Sequence, residues 1–165
     1  MGLPFFEGLP FTIDGPRRTL VLESPPSLLQ RGEAGRSFPL RLERQGPALD
    51  TFVQMSFSSE HAEVLMDTGS RSVILDLRYA EALDIDLESE DVRHQEGSDE
   101  TGNAYHRYYT TLGPQLTFGE GEGPGAEGLE VMFQSIIHDG LIGTDYMNRF
   151  VLTWDLEGER LIVGG

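Results

Sequence analysis

Residues 62–75 read AEVLMDTGSRSVIL, two apolar runs that converge on one short polar turn carrying a single carboxylate, Asp67. Short apolar runs bounded by turn residues have the pattern of buried strands. Both runs therefore need cover, and the acid between them is held by the strands on either side. Gly69 lets backbone pass close to the acid, and Thr68 offers a hydroxyl to neighbouring backbone or to a partner chain. A fold that accommodates this segment has to be built from sheet around the turn.

The rest of the chain agrees. Residues 37–44 alternate Phe38, Leu40 and Leu42 with polar neighbours, and residues 51–57 alternate again after the break at Gly46-Pro47. Period two is the mark of half-buried strands. Residues 92–96 and 104–111 flank a polar, glycine-containing stretch and predict a long β-hairpin. Residues 116–118, 129–137, 151–154 and 160–163 are further strand candidates, and 78–83 and 146–150 each predict a helical turn or two. Many short strands with little helix predict an all-β closed barrel. Pro25, Pro26, Gly32 and Gly35 punctuate the segment before residue 37. The organisation expected is a strand-turn segment over 1–23, a linker over 24–36 and one domain over 37–165.

The chain has 28 acidic and 12 basic residues, a formal charge of −16, and no lysine. A field of that sign repels phosphate backbones, so nucleic acid is excluded as a partner. There are no cysteines, which removes thiol catalysis, disulfides and Cys-based zinc sites. No apolar run reaches the length of a membrane span, and the first residues lack the basic and long apolar regions of a secretory signal. The compartment is left open. Arginine without lysine, together with abundant glycine, points to a GC-rich bacterial source.

One internal similarity is present. Placing Gly2 on Gly143 and running forward sets GLPFFEGLPFTIDGPRRTLVL over GTDYMNRFVLTWDLEGERLIV. Thr12 falls on Thr153, Asp14 on Asp155 and Leu20 on Leu161, and Phe5/Tyr146, Leu9/Phe150, Phe11/Leu152, Val21/Ile162 and Leu22/Val163 are alike in character. Any two turn-strand-turn-strand segments share some of this pattern. The alternative is that the first 22 residues are the tail of a preceding, related unit.

The segment around Asp67 resembles the catalytic strand-turn of retropepsins and their bacterial relatives. That family follows the motif with an apolar-apolar-Gly, a short helix and a final strand. Here Leu141-Ile142-Gly143, residues 144–150 and residues 151–155 fit the order, and the hairpin over 92–111 sits where the family has its flap. The resemblance spans roughly residues 37–163. It implies an acid-protease barrel with a flap and one or two short helices, acting as an aspartic endopeptidase on an extended peptide or protein substrate. It further implies Asp67 as catalytic acid/base, Thr68 and Gly69 as support of the catalytic loop, and Ser70 and Arg71 near the substrate. Arg71 stands where many relatives carry a small or acidic residue, which bears on specificity. No metal or organic cofactor is implied. The mechanism needs two aspartates, and the chain has no second D-T-G or D-S-G. The other comes from a twin chain in a homodimer or from a related lobe; otherwise the unit is a non-catalytic peptide-binding or dimerisation barrel, or an inactive isolated lobe.

Weaker signals have blander readings. Gly123, Gly125 and Gly128 match a dinucleotide-binding pattern but lack the strand before and the helix after, so they read as a flexible acidic loop. His61, His94, His106 and His138 have no metal-ligand spacing along the chain. The acidic run over 84–91 lacks the mid-loop glycine of a calcium site. Tyr105, Tyr108 and Tyr109 read as packing of the second hairpin strand.

Overall fold

The computed structural model describes residues 3–98, 101–113 and 115–164. Gly2 of the internal repeat, and residues 99 and 100 in the tip of the expected hairpin, lie outside them.

After a single turn of tight helix over Leu3–Phe6, the elements run β1 (Phe11–Asp14), β2 (Thr19–Leu22), α1 (Pro25–Ala34), β3 (Arg36–Gln45), β4 (Ala48–Phe57), β5 (Glu60–Met66), β6 (Val73–Leu75) and α2 (Arg78–Ala82). They continue with β7 (Arg93–Ser98), β8 (Ala104–Thr111), β9 (Leu116–Phe118), β10 (Gly125–Ala126), β11 (Glu130–Phe133), β12 (Gly140–Ile142), α3 (Thr144–Met147), β13 (Val151–Asp155) and β14 (Arg160–Gly164). The protein is mostly β with little helix, as the alternating patterns require.

The strands follow one path, β2-β1-β13-β14-β3-β4-β5-β12-β6-β11-β8-β7, with β9 on β4 and β10 on β9. Closure into the expected barrel is not seen: among the described residues the path has two free ends, β2 and β7. The β7 end carries Arg93, His94, Gln95 and Glu96, all exposed, and such charged and polar side chains blunt an edge. The β2 end has no such protection.

Most of the segment over 24–36, expected as a linker, is helix α1. Ser24 caps it, accepting the Ser27 N–H at 3.4 Å, while the Ser27 hydroxyl oxygen accepts the Ser24 N–H at 2.8 Å. Pro25 and Pro26 fall at the first two helical positions, where proline has no hydrogen bond to lose and its φ already suits the helix. In this setting the prolines start a helix rather than break one.

The interior is aromatic and aliphatic. Phe118, Tyr146 and Phe150 meet pairwise with centroids 5.1–5.4 Å apart, each pair adding about 0.5–1.5 kcal/mol beyond its buried area. The Tyr146 hydroxyl donates to the Leu116 carbonyl at 3.0 Å, so its one polar atom is satisfied.

The internal similarity exists in three dimensions. The helical turn Leu3–Phe6 corresponds to α3, β1 to β13 and β2 to β14. Asp14 Oδ1 accepts the Arg17 N–H and Asp155 Oδ1 accepts the Gly158 N–H, both at 3.0 Å. Directly before the second strand of each hairpin, Arg18 and Glu159 both take positive φ, 54° and 46°. The two hairpins lie side by side through β1 and β13, with Phe11 opposite Trp154, Thr12 opposite Thr153 and Ile13 opposite Leu152. Replacing each residue by its counterpart maps the first pair onto the third and leaves the second in place. The pairing therefore has a local twofold centred on Thr12 and Thr153. Their hydroxyl oxygens are 2.6 Å apart. Thr12 donates its one proton to Glu23 at 2.6 Å, so Thr153 is the donor to Thr12.

Candidate active site

Asp67 follows directly on β5, at the mouth of a three-strand arrangement. β12 runs between β5 and β6, parallel to the first (Leu141 opposite Leu65) and antiparallel to the second (Leu141 opposite Ile74). Val64, Met66, Val73, Leu75 and Ile142 are buried, which explains the two apolar runs flanking the acid. The Asp67 N–H donates to the Ile142 carbonyl at 3.1 Å, and the turn closes with the Ser70 N–H on the Asp67 carbonyl at 3.3 Å.

The carboxylate is half-buried. Its Oδ1 accepts the Gly69 N–H at 2.8 Å; among the described residues Oδ2 takes no hydrogen bond. A Cβ on Gly69 would stand 3.1 Å from Oδ1, close enough to press on the acid. Thr68 and Gly69 are exposed and Ser70 is half-buried.

Helix α3 braces the turn from behind. Its first N–H groups, which have no partner inside a helix, find loop carbonyls instead: Thr144 N–H donates to Ser70 O and Asp145 N–H to Arg71 O, both at 2.9 Å. The Thr144 hydroxyl also donates to Ser70 O at 3.2 Å. This approach needs Gly143, because a Cβ there would lie 2.5 Å from the Arg71 carbonyl carbon. The separation of 76 positions in sequence from Asp67 to Gly143 is thus bridged by direct backbone contact. The Arg71 side chain is exposed and extends toward Asp145, Nε to Oδ1 3.6 Å, an ion pair worth little in water.

Chain spacing conceals two features. An apolar cavity of about 270 Å³ lies between the first hairpin and the Asp67 turn, lined by Leu3, Phe6, Leu20, Met66 and Thr68 among others. Two further lining residues, Thr51 and Trp154, have buried polar atoms without a partner among the described residues. On the β7–β8 hairpin, His94, Glu96 and His106 are exposed and present ligand atoms all within 4.8 Å of one another. Cross-strand register makes this group: Glu96 lies opposite His106, and His94 shares the Glu96 face of β7. A larger surface cavity, about 750 Å³ and lined by Phe38, Arg41, Gln54 and Glu63, includes none of residues 67–71.

No family model matches the sequence, and no curated protein matches it. Among solved structures, the crystal structure of a retropepsin-like aspartic protease from Rickettsia conorii is similar, with a TM-score of 0.50 and 16% identity, covering 77% of this chain and 87% of that one. At that identity the likeness shows the fold: the chain has the fold of a retropepsin-like aspartic protease.

Proposed function

We propose that this chain is one catalytic lobe of an aspartic endopeptidase, with Asp67 as one of two aspartates that hold and activate a water. The observation that carries the reading is the Asp67 carboxylate, fixed through Oδ1 by Gly69 and, among the described residues, without a hydrogen bond at Oδ2, at the open mouth of the β5–β12–β6 arrangement. Two carboxylates in close contact cannot both ionise cheaply, so they share a proton. The ionised member takes a proton from the water as it attacks the peptide carbonyl, and the protonated member donates to the carbonyl oxygen. The pair titrates as a unit.

Thr68, exposed at the turn, braces it against the matching turn of the second lobe. Gly69 supports the acid, and Ser70 and Arg71 stand at the substrate rim. The β7–β8 hairpin serves as the flap, and an extended peptide binds beneath it by strand-like hydrogen bonding. The second aspartate comes from a second chain or lobe. Alone, the lobe is inert.

The test is cleavage of a mixed peptide library between about pH 3 and 7, the range in which carboxylate dyads work, by wild type and Asp67→Asn over a series of protein concentrations. The reading holds if cleavage appears only in a paired state and disappears in Asp67→Asn. Cleavage that survives the substitution sinks it.

A further inference from the structure

The two hairpins related by the local twofold stand in unequal surroundings. The outer edge of β14 is covered by β3, from Arg160 opposite Pro39 to Val163 opposite Arg36, and Tyr146, Phe150, Leu161, Ile162 and Val163 are buried. Their counterparts in the first hairpin, Phe5, Leu9, Leu20, Val21 and Leu22, are all exposed: Leu20 is 55% accessible where Leu161 is 0%, and Phe5 58% where Tyr146 is 0%. Among the described residues only Leu29 and Ile137 are also large, apolar and exposed. Apolar side chains so concentrated on one free edge mark an interaction surface.

We infer that residues 3–22 are the closing hairpin of a second, related lobe, and that β2 receives on its free edge a strand equivalent to β3 from that lobe. This rests on the peptidase reading and names the partner that completes it. The partner is a lobe without a closing hairpin of its own. The register follows from the repeat: Thr19 to Leu22 take the places of Arg160 to Val163, so Leu20 faces the counterpart of Phe38 and Leu22 that of Arg36. A second copy of this chain cannot supply that strand while its own β3 carries its own β14 over residues 36–39. The described residues hold two such hairpins and one β3. The cavity beside Thr68 agrees, since Leu20 and Thr68 both line it. A lobe seated on β2 is therefore adjacent to the Asp67 turn.

The experiment uses the full chain carrying Asp67→Asn, so that binding is read apart from catalysis. Sedimentation gives the oligomeric state, and amide hydrogen exchange compares β2 with β14. The probe is a synthetic peptide of the β3 sequence, RSFPLRLERQ, at up to about 1 mM, as strand addition to an open edge requires. The expected result is a monomer with β14 protected and β2 exchanging fast, β2 becoming protected by the peptide, and that protection lost in Leu20→Asp. A homodimer in which β2 is protected, and which Leu20→Asp dissociates, makes the occupant a second copy and overturns the inference while leaving the peptidase reading intact. A monomer whose β2 the peptide never protects overturns it as well.

An independent observation concerns the flap. His106 Nδ1 lies 3.4 Å from both His94 Nε2 and Glu96 Oε1, and His94 Nε2 lies 3.7 Å from Glu96 Oε1. A tetrahedral zinc ion with ligands at about 2.0–2.1 Å sets them roughly 3.3–3.4 Å apart. The His94 ring is already held by stacking on Tyr108, centroids 4.5 Å apart. We propose that this face of the β7–β8 hairpin binds a zinc-like divalent ion through two imidazoles and a carboxylate, tying the two strands together. Titration of the full chain with zinc chloride is expected to show one ion bound, with the His94 and His106 ring signals shifting in NMR and affinity falling at least tenfold in His106→Ala. Equal binding in His106→Ala, or shifts confined to His61 or His138, overturns the proposal.

Discussion

Gly143 and Glu23 show how much can rest on one position. Gly143 admits α3 against the Asp67 turn, and a methyl group there meets the Arg71 backbone at 2.5 Å. Backbone cannot yield as a flexible side chain does, so Gly143→Ala is expected to cost about 1–3 kcal/mol, typical of overpacking, and to displace the turn; denaturant unfolding measures the first and the amide shifts of residues 67–71 the second. At Glu23, burial pushes the carboxyl up, but hydrogen bonds from Ser27, Thr12 and Arg31 outweigh it and hold the group below its ordinary 4.5. A lowered folded-state value means stabilisation that is full above the unfolded value and fades as pH falls through the folded one. Glu23→Gln is therefore expected to destabilise at pH 7, by about 1.5–3 kcal/mol for a charged hydrogen-bond acceptor, and the gap to wild type should close toward pH 3. A gap independent of pH would show that shape rather than charge matters at Glu23. The sequence marked Thr12 and Asp14 only as repeat identities. Their roles, one on the local twofold and one in the hairpin turn, needed the pairing of β1 with β13.

At the level of elements, legibility followed the range of the interactions. β3, β4 and β5 were readable because a half-buried strand writes its burial into alternate residues. The site was readable for a related reason: strands that must be covered on both faces left two apolar runs around Asp67. Helix α1 was not readable by that route, since it has no buried residue and thus no apolar stripe. Its signal is the capping of Ser24 by Ser27 with prolines in the first turn. Ser24→Ala is expected to cost about 0.5–2 kcal/mol, seen as faster amide exchange over 27–34 with the sheet unchanged. The three-residue group on the flap was hidden because its spacing is set across strands. The free edge at β2 was hidden because its residues look like those of the buried β14; only the surroundings differ.

For the molecule as a whole, the constraint is the charge. At −16 with no lysine, the chain sits in a negative field that extends beyond any one contact. Like-charged copies repel, which adds to the lack of a vacant β3 edge in disfavouring self-association. A substrate peptide meets the same field, and its effect depends on the peptide's sign. Two peptides of equal length and apolar content, one with arginines at its ends and one with glutamates, are expected to bind with at least a tenfold preference for the first at low salt. That difference is about 1.4 kcal/mol, which a handful of unpaired surface charges can supply. Raising the salt from 0.01 M to 1 M shortens the screening length from about 30 Å to about 3 Å. If the field sets the preference, it should collapse over that range while the apolar contribution persists. Fluorescence anisotropy with Asp67→Asn measures both without cleavage. A preference that stays constant in salt would place the selection in direct contacts at the rim, with Arg71 the first residue to replace.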